Sequence, residues 1–468
     1  MVSGHIADAG NNPMANVNVT FRKNFQGTIT TSTTTTDGSG NFTSGDVGCQ
    51  NNVLVTPSKV GITFNPIAKS FVSTGCLNGT GTADFTGAPS GPSSFQFSTN
   101  SYFVDEGGTS LTVTVTRTGD TGGTATVDYT TTDTDNFTVN CANVAGNAFA
   151  RCDFSTTLDT LTFSPGDTSK TFQIPIINDS WAEGNETFGV ALSNPTGGAT
   201  LGGPSTATVT ITDNETVNGP NPIFTTPFFV RQHYLDFLSR EPEQGEPWSA
   251  VLNNCSDVNN NPACDRVTVS GAFFGSPEFR IKGNFVFRFY KLAFNRLPLY
   301  TEMVKDMRAV TGQTPQETFD KKATFTNNFV LRPEFTGLYN ALSNATYVNT
   351  LMDRYSLPSV TTPNPATPND DVNKVTLTRQ NLIDGLNGTT LTRAQVLRAI
   401  ADSDQVFNLE FNQTFVAMQY YGYLQRTPET QGFNDWLTYL NTHPGDSRTM
   451  VNGFVNSLEY RSRFGPNP

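Results

Sequence analysis

Histidine is scarce in this chain: only three of its 468 residues are histidines, and they lie far apart in the sequence. The six cysteines show no Cys-x-x-Cys spacing, so a zinc site of the usual tetrahedral kind is disfavoured. The sequence also lacks a nucleophile elbow, a phosphate-binding loop, a His-Glu-x-x-His motif and a dinucleotide fingerprint. His443–Ser447 holds triad residue types, but only as a sequential run in a turn. We therefore predict a protein that is not an enzyme, although a sequence does not give the separation of glycosidase-type carboxylate pairs.

Long apolar runs and an excess of basic residues are missing as well. No apolar run approaches the roughly 20 residues that a membrane-spanning helix needs. Lysine and arginine number 29 against 41 acidic residues, which gives a net charge of −12 and no basic face. Nucleic acid is therefore not an expected partner, because binding to its phosphates depends on clustered basic side chains.

The six cysteines fall into three local pairs, one in each candidate domain. Six cysteines allow fifteen connectivities, of which local pairing is the simplest. Disulfides in all three domains would imply an oxidising compartment, and so a secreted or cell-surface protein; six reduced thiols in a cytosolic protein are the alternative. Because no leader pattern precedes the first strand, we expect a natural N-terminus with a signal peptide to be missing from this sequence. The predicted pairs are Cys49–Cys76, Cys141–Cys152 and Cys255–Cys264.

Almost the whole net charge lies in the middle third of the chain. Residues 95–216 contain fourteen acidic and three basic residues, whereas the residues before them balance and those after them carry a net charge of −1. Carboxylates gathered at one end of a sandwich repel one another unless a cation lies between them, and calcium accepts six to eight oxygens in loose geometry. The pattern predicts a calcium site; acidic turns that only keep the surface soluble are the alternative. Three acidic clumps follow apolar runs, at Val104–Gly107, Asn178–Glu186 and Val209–Glu215.

Short alternating strands separated by Gly, Asn and Asp turns fill residues 1–87 and predict a small β-sandwich. Its opening Gly4–Pro13, the turn Asp37–Phe42 and the segment Thr56–Gly61 resemble the carboxypeptidase-regulatory-like, transthyretin-like modules of bacterial surface proteins. The resemblance implies a spacer or adhesive unit. A linker, Ala88–Ser93, is partly stiffened by its two prolines.

Residues 95–216 contain about seven strand patterns, which fit an immunoglobulin-like sandwich. The motifs at Val104–Gly107, Leu161–Gly166, Ile177–Phe188 and Ala207–Asn214 resemble those of the Calx-beta domain, the calcium-binding sandwich of sodium/calcium exchangers and of many bacterial extracellular proteins. The resemblance implies bound Ca²⁺ at one pole. Carried over position by position, it implies the ligands Glu106, Asp153, Asp179, Glu183, Glu186 and Asp213.

The sequence departs from the Calx-beta pattern at two acidic positions. Asn178 stands where an acidic pair often begins, and Asp213–Glu215 replaces a fully acidic run. Fewer charges weaken the affinity for a divalent ion, so we expect one ion or two weakly bound ones. The segment between Cys141 and Cys152 is interpreted as an insertion that either completes the site or covers it.

After a second linker, Thr216–Pro222, the hydrophobic period becomes helical and an internal repeat appears. A Phe-Val pair is followed at fixed offsets by Tyr, Arg and Pro in copies that begin at Phe229, Phe285 and Phe415, and Tyr347 begins a degenerate copy. Each unit is predicted to have one helix broken by the proline, a second with the tryptophan and a third that ends at a Glu-aromatic pair. This predicts an all-α array over residues 223–465. The units resemble a bacterial domain of unknown function of secreted and surface-layer proteins, itself distantly like phycobilisome linker domains.

One arginine recurs in each well-kept repeat. These arginines either bind carboxylates of a partner or pair with glutamates of their own domain. The arginines are Arg240, Arg296 and Arg426, and the candidate glutamates are Glu278, Glu334 and Glu459.

Together these patterns predict a multidomain protein with two all-β sandwiches, transthyretin-like and then immunoglobulin-like, followed by an all-α repeat domain. Our first hypothesis is a non-enzymatic extracellular structural or adhesion protein with a calcium-stabilised middle domain. Its helical domain would dock protein partners or other copies of the chain. The alternatives are a self-assembling subunit of an extracellular filament or surface layer, and the accessory binding region of a larger secreted enzyme.

Overall fold

The structure is a computed structural model that describes residues 1–44, 52–72, 81–89, 91–135, 137, 140–142, 146–276, 280–311, 314–365 and 373–467. A β-rich part precedes a helical part, as the sequence predicts. The strands of the first domain are β1 Val2–Asp8, β2 Asn18–Phe25, β3 Thr28–Thr35, β4 Asn41–Thr43, β5 Asn52–Ser58, β6 Ile62–Asn65, β7 Lys69–Val72, β8 Gly81–Thr82 and β9 Phe85–Pro89.

Two sheets enclose a small core in the first domain. One has the order β4-β1-β9-β6, with β8 beside β1, and the other has the order β3-β2-β5-β7. Successive side chains of a strand point to opposite faces, so Phe21 of β2 is buried together with Ile6 and Phe85 of the facing sheet. The predicted pair Cys49–Cys76 lies outside the described residues.

The middle domain also consists of two sheets around one core. The first has the order β15-β12-β10-β17 and the second has the order β11-β18-β16-β13-β14. Val113 of the first sheet and Val209 of the second are fully buried between them. The strands are β10 Ser94–Phe97, β11 Ser101–Asp105, β12 Ser110–Thr118, β13 Ala125–Thr132, β14 Leu158–Phe163, β15 Ser169–Pro175, β16 Glu186–Ser193, β17 Thr200–Leu201 and β18 Thr206–Thr212.

The helical region packs around one large apolar core. No helix in the described ranges is both long enough and apolar enough to span a bilayer. The helices are α1 Thr226–Leu238, α2 Pro247–Asn253, α3 Arg266–Gly275, α4 Phe285–Phe294, α5 Tyr300–Ala309, α6 Pro315–Phe329, α7 Pro333–Tyr339, α8 Asn344–Asp353, α9 Arg379–Asn387, α10 Arg393–Ala401, α11 Asp404–Gln419, α12 Thr430–Thr442, α13 Ser447–Val455 and α14 Leu458–Arg461. Short 3₁₀ and π turns cover Pro222–Phe224, Arg280–Asn284 and Tyr420–Leu424.

The prediction of an all-α region is wrong in one place. Two antiparallel strands, β19 Ser359–Pro363 and β20 Lys374–Thr378, form a hairpin between α8 and α9. Their β-branched residues favour a strand, and Val360 is fully buried in the helical core.

Two predicted helix boundaries are also wrong. Phe415 does not begin a helix, because α11 starts eleven residues earlier, where the Ser403 side chain accepts a hydrogen bond from the N–H of Val406. The Glu-aromatic pairs that begin at Glu334 and Glu459 lie in the first turns of α7 and α14, so they start short helices and do not end long ones.

The middle domain packs directly against the helical region. The Arg231 guanidinium of α1 donates to the carbonyl oxygens of Ile176 at 3.0 Å and Thr109 at 2.9 Å. The Arg308 guanidinium of α5 donates to the carbonyl oxygen of Leu158 at 3.2 Å. Backbone carbonyls of the sandwich are therefore satisfied by arginines of the helices.

Candidate metal centre

Strand pairing brings the acidic residues that follow two strands to one edge of the middle domain. β11 and β18 are parallel neighbours, with Asp105 opposite Thr212. Glu106 and Asp213 are the residues that follow, and the Glu106 N–H donates to the Thr212 carbonyl oxygen at 3.0 Å. Because parallel strands end at the same edge, both carboxylates leave the sheet at one pole.

Six carboxylates gather at this pole in two clusters. In each cluster, one carboxylate oxygen from every member lies within 4.8 Å of the others. We call them the outer cluster and the inner cluster. The outer cluster contains Glu106, Asp213 and Glu215, and the inner cluster contains Asp153, Asp179 and Glu183.

Backbone hydrogen bonds join the two clusters. The Asp179 N–H donates to Oε1 of Glu106 at 3.0 Å, and the Glu183 N–H donates to Oδ2 of Asp213 at 2.8 Å. Two of the three inner residues are therefore held by a carboxylate of the outer cluster, and the clusters form one acidic centre.

Five of the six predicted ligands lie in the two clusters. The sixth, Glu186, is buried at the start of β16 and hydrogen-bonds the Asp153 carboxyl group. Glu215 belongs to the outer cluster but was not predicted, since the run Asp213–Glu215 was interpreted only as a weakened acidic motif. Its position two residues after Asp213, beyond the end of β18, was the available signal.

Burial makes the acidic centre costly when no cation balances it. Burial raises the pKa of Glu106 to about 8 and that of Asp153 to about 7, and it raises the pKa of Asp179 well above its usual range. The negative charges of Glu183 and Glu106 raise the Asp179 pKa further. Carboxyl groups in such a setting hold protons until a cation replaces them.

Asp213 behaves differently from its neighbours. Burial acts to raise its pKa, but the N–H groups of Gly184, Glu215 and Glu183 lower it by hydrogen bonding to the carboxylate. Asp213 is therefore a fixed negative charge in the outer cluster.

The donor set fits a hard divalent cation. All six groups are carboxylates, and oxygen-only ligand sets are those that calcium prefers. Oδ1 of Asp179 accepts a hydrogen bond from the Trp181 N–H at 2.7 Å. Its buried Oδ2 has no hydrogen-bond partner in the described part of the chain. An unpaired buried carboxylate oxygen is unfavourable, and a cation in the inner cluster would satisfy it.

The disulfide Cys141–Cys152 supports the inner cluster. Asp153 follows Cys152 directly, and its Oδ2 accepts a hydrogen bond from the Phe149 N–H at 2.6 Å. The two cysteines and Phe149 pack against Trp181, two residues beyond Asp179. The structure places Asp153, the residue that follows this insertion, in the inner cluster. The predicted pairings of Cys141 with Cys152 and of Cys255 with Cys264 are confirmed.

Comparison with known proteins gives the middle domain its family. Residues 90–215 match the family model described as the Calx-beta domain. This region is a Calx-beta domain. Residues 408–464 match a domain of unknown function, DUF4214, which covers the last helical repeat.

Two curated relatives and one solved structure each match 26% of this chain. The adhesion G-protein coupled receptor V1 of Danio rerio is 29% identical over 133 residues, which are 26% of this chain and 2% of the receptor. The sodium/calcium exchanger Calx of Drosophila melanogaster is 34% identical over 124 residues, which are 26% of this chain and 12% of the exchanger. A crystal structure of the calcium binding domain CBD12 of CALX1.1 is 34% identical, with a TM-score of 0.23, over 26% of this chain and 45% of that one. The chain thus spans only a small part of the curated relatives.

The repeat arginines make ion pairs and ring contacts within the helical domain. Each guanidinium lies over the tyrosine six residues before it, with the ring centroid 4.8–5.2 Å away. The predicted pairs Arg296–Glu334 and Arg426–Glu459 are confirmed at 2.7 and 2.8 Å. Arg240 pairs with Glu243 at 2.5 Å, and Glu278 lies outside the described residues.

Proposed function

We propose that this chain is a non-enzymatic extracellular structural or adhesion protein whose Calx-beta domain binds Ca²⁺ and whose helical domain docks protein partners. The observation that carries the proposal is the gathering of six carboxylates in two clusters at one pole, together with the buried Oδ2 of Asp179, which has no hydrogen-bond partner among the described residues. The names of two similar proteins, a sodium/calcium exchanger and a calcium binding domain, support calcium as the ion.

The two clusters support a site for two ions. Calcium takes six to eight oxygens, and three carboxylates supply at most six, so water would complete each coordination sphere. The inner cluster would bind the better shielded ion, because Asp153 and Asp179 are both buried. The half-buried Asp213 and Glu215 of the outer cluster would bind a second, weaker ion.

The two disulfides support an extracellular location, since such bonds persist in oxidising compartments. In this proposal the first domain, which resembles transthyretin-like modules, is a spacer. The Calx-beta domain then holds the spacer and the helical domain in a fixed relation.

A calcium titration at several pH values tests the proposal. Because the pKa values of Asp153 and Glu106 are raised to about 7 and 8, calcium must displace protons from these carboxyl groups at pH 6. We expect the affinity to rise between pH 6 and 8.5, by about tenfold per pH unit for each proton displaced. Isothermal titration calorimetry in two buffers of different ionisation enthalpy measures both the affinity and the proton release.

Asp179→Asn should weaken binding to the inner cluster by about tenfold or more, because one ligand charge is lost. Asp167→Asn is the matched control, since Asp167 is an acidic residue in the turn before β15 of the same domain and pairs with Lys170 of that strand. Heat of binding that is absent at pH 8.5, or equal for both variants, would overturn the calcium proposal.

A second candidate function, self-assembly, is favoured by β3. Among the described residues, this strand is an edge strand that pairs with β2 alone, and all of its side chains but one are exposed. It has no charged residue or proline, the residues that usually keep edge strands apart. The first 94 residues carry no net charge, so two copies that meet here avoid the repulsion of the acidic middle domain.

Homotypic pairing of β3 predicts a concentration-dependent dimer. Two copies would pair antiparallel, with threonine opposite threonine or serine, through their free backbone edges. Thr31→Lys combined with Thr33→Lys should abolish the dimer in sedimentation velocity, because it places like charges at the contact. Ser101→Lys, on the exposed edge strand β11, is the control. A parent chain that stays monomeric at every concentration would exclude this assembly.

A further inference from the structure

The segment Ile177–Trp181 faces the acidic centre and the helical domain at the same time. Asp179, in its middle, is a member of the inner cluster. Ile177 has no exposed surface and belongs to the apolar core of the helical region. β15 ends at Pro175, before Ile177, and this leaves the segment free to reach the helices.

Two side chains of this segment hold the C-terminal end of the helical domain. The Ser180 hydroxyl donates to the Phe464 carbonyl oxygen at 3.1 Å. The Trp181 indole Nε1–H donates to the Ser462 carbonyl oxygen at 3.1 Å. The backbone N–H of the same Trp181 donates to Oδ1 of Asp179. One residue therefore links the carboxylate to the end of the chain.

Arg463 makes a second connection, to the other half of the inner cluster. Its guanidinium donates to the Arg151 carbonyl oxygen, two residues before Asp153. It also donates to the Tyr423 carbonyl oxygen at 2.8 Å and forms an ion pair with Asp236 at 3.0 Å. The helical domain thus holds both chain segments that carry the inner cluster.

We propose that docking of the chain end Ser462–Gly465 against the Calx-beta domain sets the calcium affinity of the inner cluster. This inference rests on the proposed calcium binding. When the chain end is docked, Ser462 and Arg463 hold Trp181 and Arg151 by hydrogen bonds. Asp179 and Asp153 are then held in the arrangement that surrounds a cation. Coupling between two binding events is reciprocal, so calcium must in turn strengthen the docking. Ser180, Trp181 and Arg463 are positioning residues and not ligands.

The test compares calcium affinities of the full chain by calorimetry at pH 8. The double variant Ser180→Ala/Trp181→Phe removes both hydrogen bonds to the chain end and keeps every carboxylate and an aromatic ring at position 181. We expect its affinity to fall about fivefold or more, the lower end of coupling between two sites. Trp248→Phe, which removes an indole N–H from α2, is the matched control, and we expect its affinity to equal that of the parent.

A second measurement needs no variant. Hydrogen exchange of the parent chain should slow at residues 458–467 when calcium is added, because docking is strengthened there. At the same calcium concentration, exchange of this peptide should slow less in Asp179→Asn than in the parent. Equal affinities of the double variant and the parent, or exchange that calcium leaves unchanged, would overturn the coupling but leave calcium binding intact. A parent chain that binds no calcium would overturn both proposals.

Discussion

Removing calcium should lower the melting temperature of the Calx-beta domain by about 10 °C. A ligand at a hundredfold its dissociation constant adds about 2.7 kcal/mol to the free energy of unfolding, and for a domain of this size 1 kcal/mol shifts the melting temperature by about 4 °C. The physical source is that calcium binds the native state, where six carboxyl groups meet at one pole, and not the unfolded chain. Differential scanning calorimetry of the full chain, with excess calcium and then with a chelator, measures the shift.

The first domain supplies an internal control for this experiment. None of its described residues belongs to a carboxylate cluster that could hold a metal, so its transition should stay where it is when the chelator is added. Asp179→Asn should reduce the calcium-dependent shift of the middle transition. Identical traces with and without calcium would show that the acidic centre does not bind calcium in the native state.

The acidic centre was largely predictable from the sequence, because its residues lie beside strands whose pattern is strong. Glu106 and Asp213 each follow a strand with alternating apolar residues, and the Calx-beta motif places both at the same pole. Glu215 was not predicted as a ligand, because its position after Asp213 does not by itself show that the chain turns back there. The N–H of Glu215 donates to Oδ1 of Asp213 at 2.7 Å, and this local turn directs its carboxylate towards Glu106.

The helical region was less predictable, because its repeat specifies contacts and not helix ends. The repeat predicted the pairs Arg296–Glu334 and Arg426–Glu459, because arginine and glutamate recur in each well-kept copy. The arginine also lies over a tyrosine ring at the same offset in each of these copies. The hairpin around Val360 and the early start of α11 depend on packing in the surrounding core. Tertiary packing commonly overrides local propensity in this way.

The contacts between domains were not predicted at all. Arg231, Arg308 and Arg463 donate to backbone carbonyl oxygens of the Calx-beta domain, and every residue has such an oxygen. No residue type therefore marks the accepting positions in the sequence. The same holds for Ile177, whose apolar side chain is suited to either domain's core.

Arg463→Met should destabilise the helical domain by about 3–5 kcal/mol, the usual cost of breaking a buried ion pair by removing one partner. The Arg463 and Asp236 side chains are 1% and 0% exposed. Burial raises the pKa of Asp236, and the Arg463 guanidinium opposes that effect. Without the guanidinium, Asp236 would be a buried carboxylate whose remaining hydrogen bonds, among the described residues, come from the amides of Gln232 and Gln425. Urea unfolding followed by circular dichroism at 222 nm measures the loss.

Arg426→Met is the matched control for this prediction. It removes the same group from the same domain, but its partners Glu429 and Glu459 are half exposed, and such pairs contribute about 1 kcal/mol or less. The two variants should therefore differ by at least about 2 kcal/mol in the free energy of unfolding. Because Arg463 also reaches Arg151, its variant should loosen the Calx-beta domain as well, whereas Arg426→Met should not. Equal losses in the two variants would mean that Arg463 is not the buried link between the helical domain and the acidic centre.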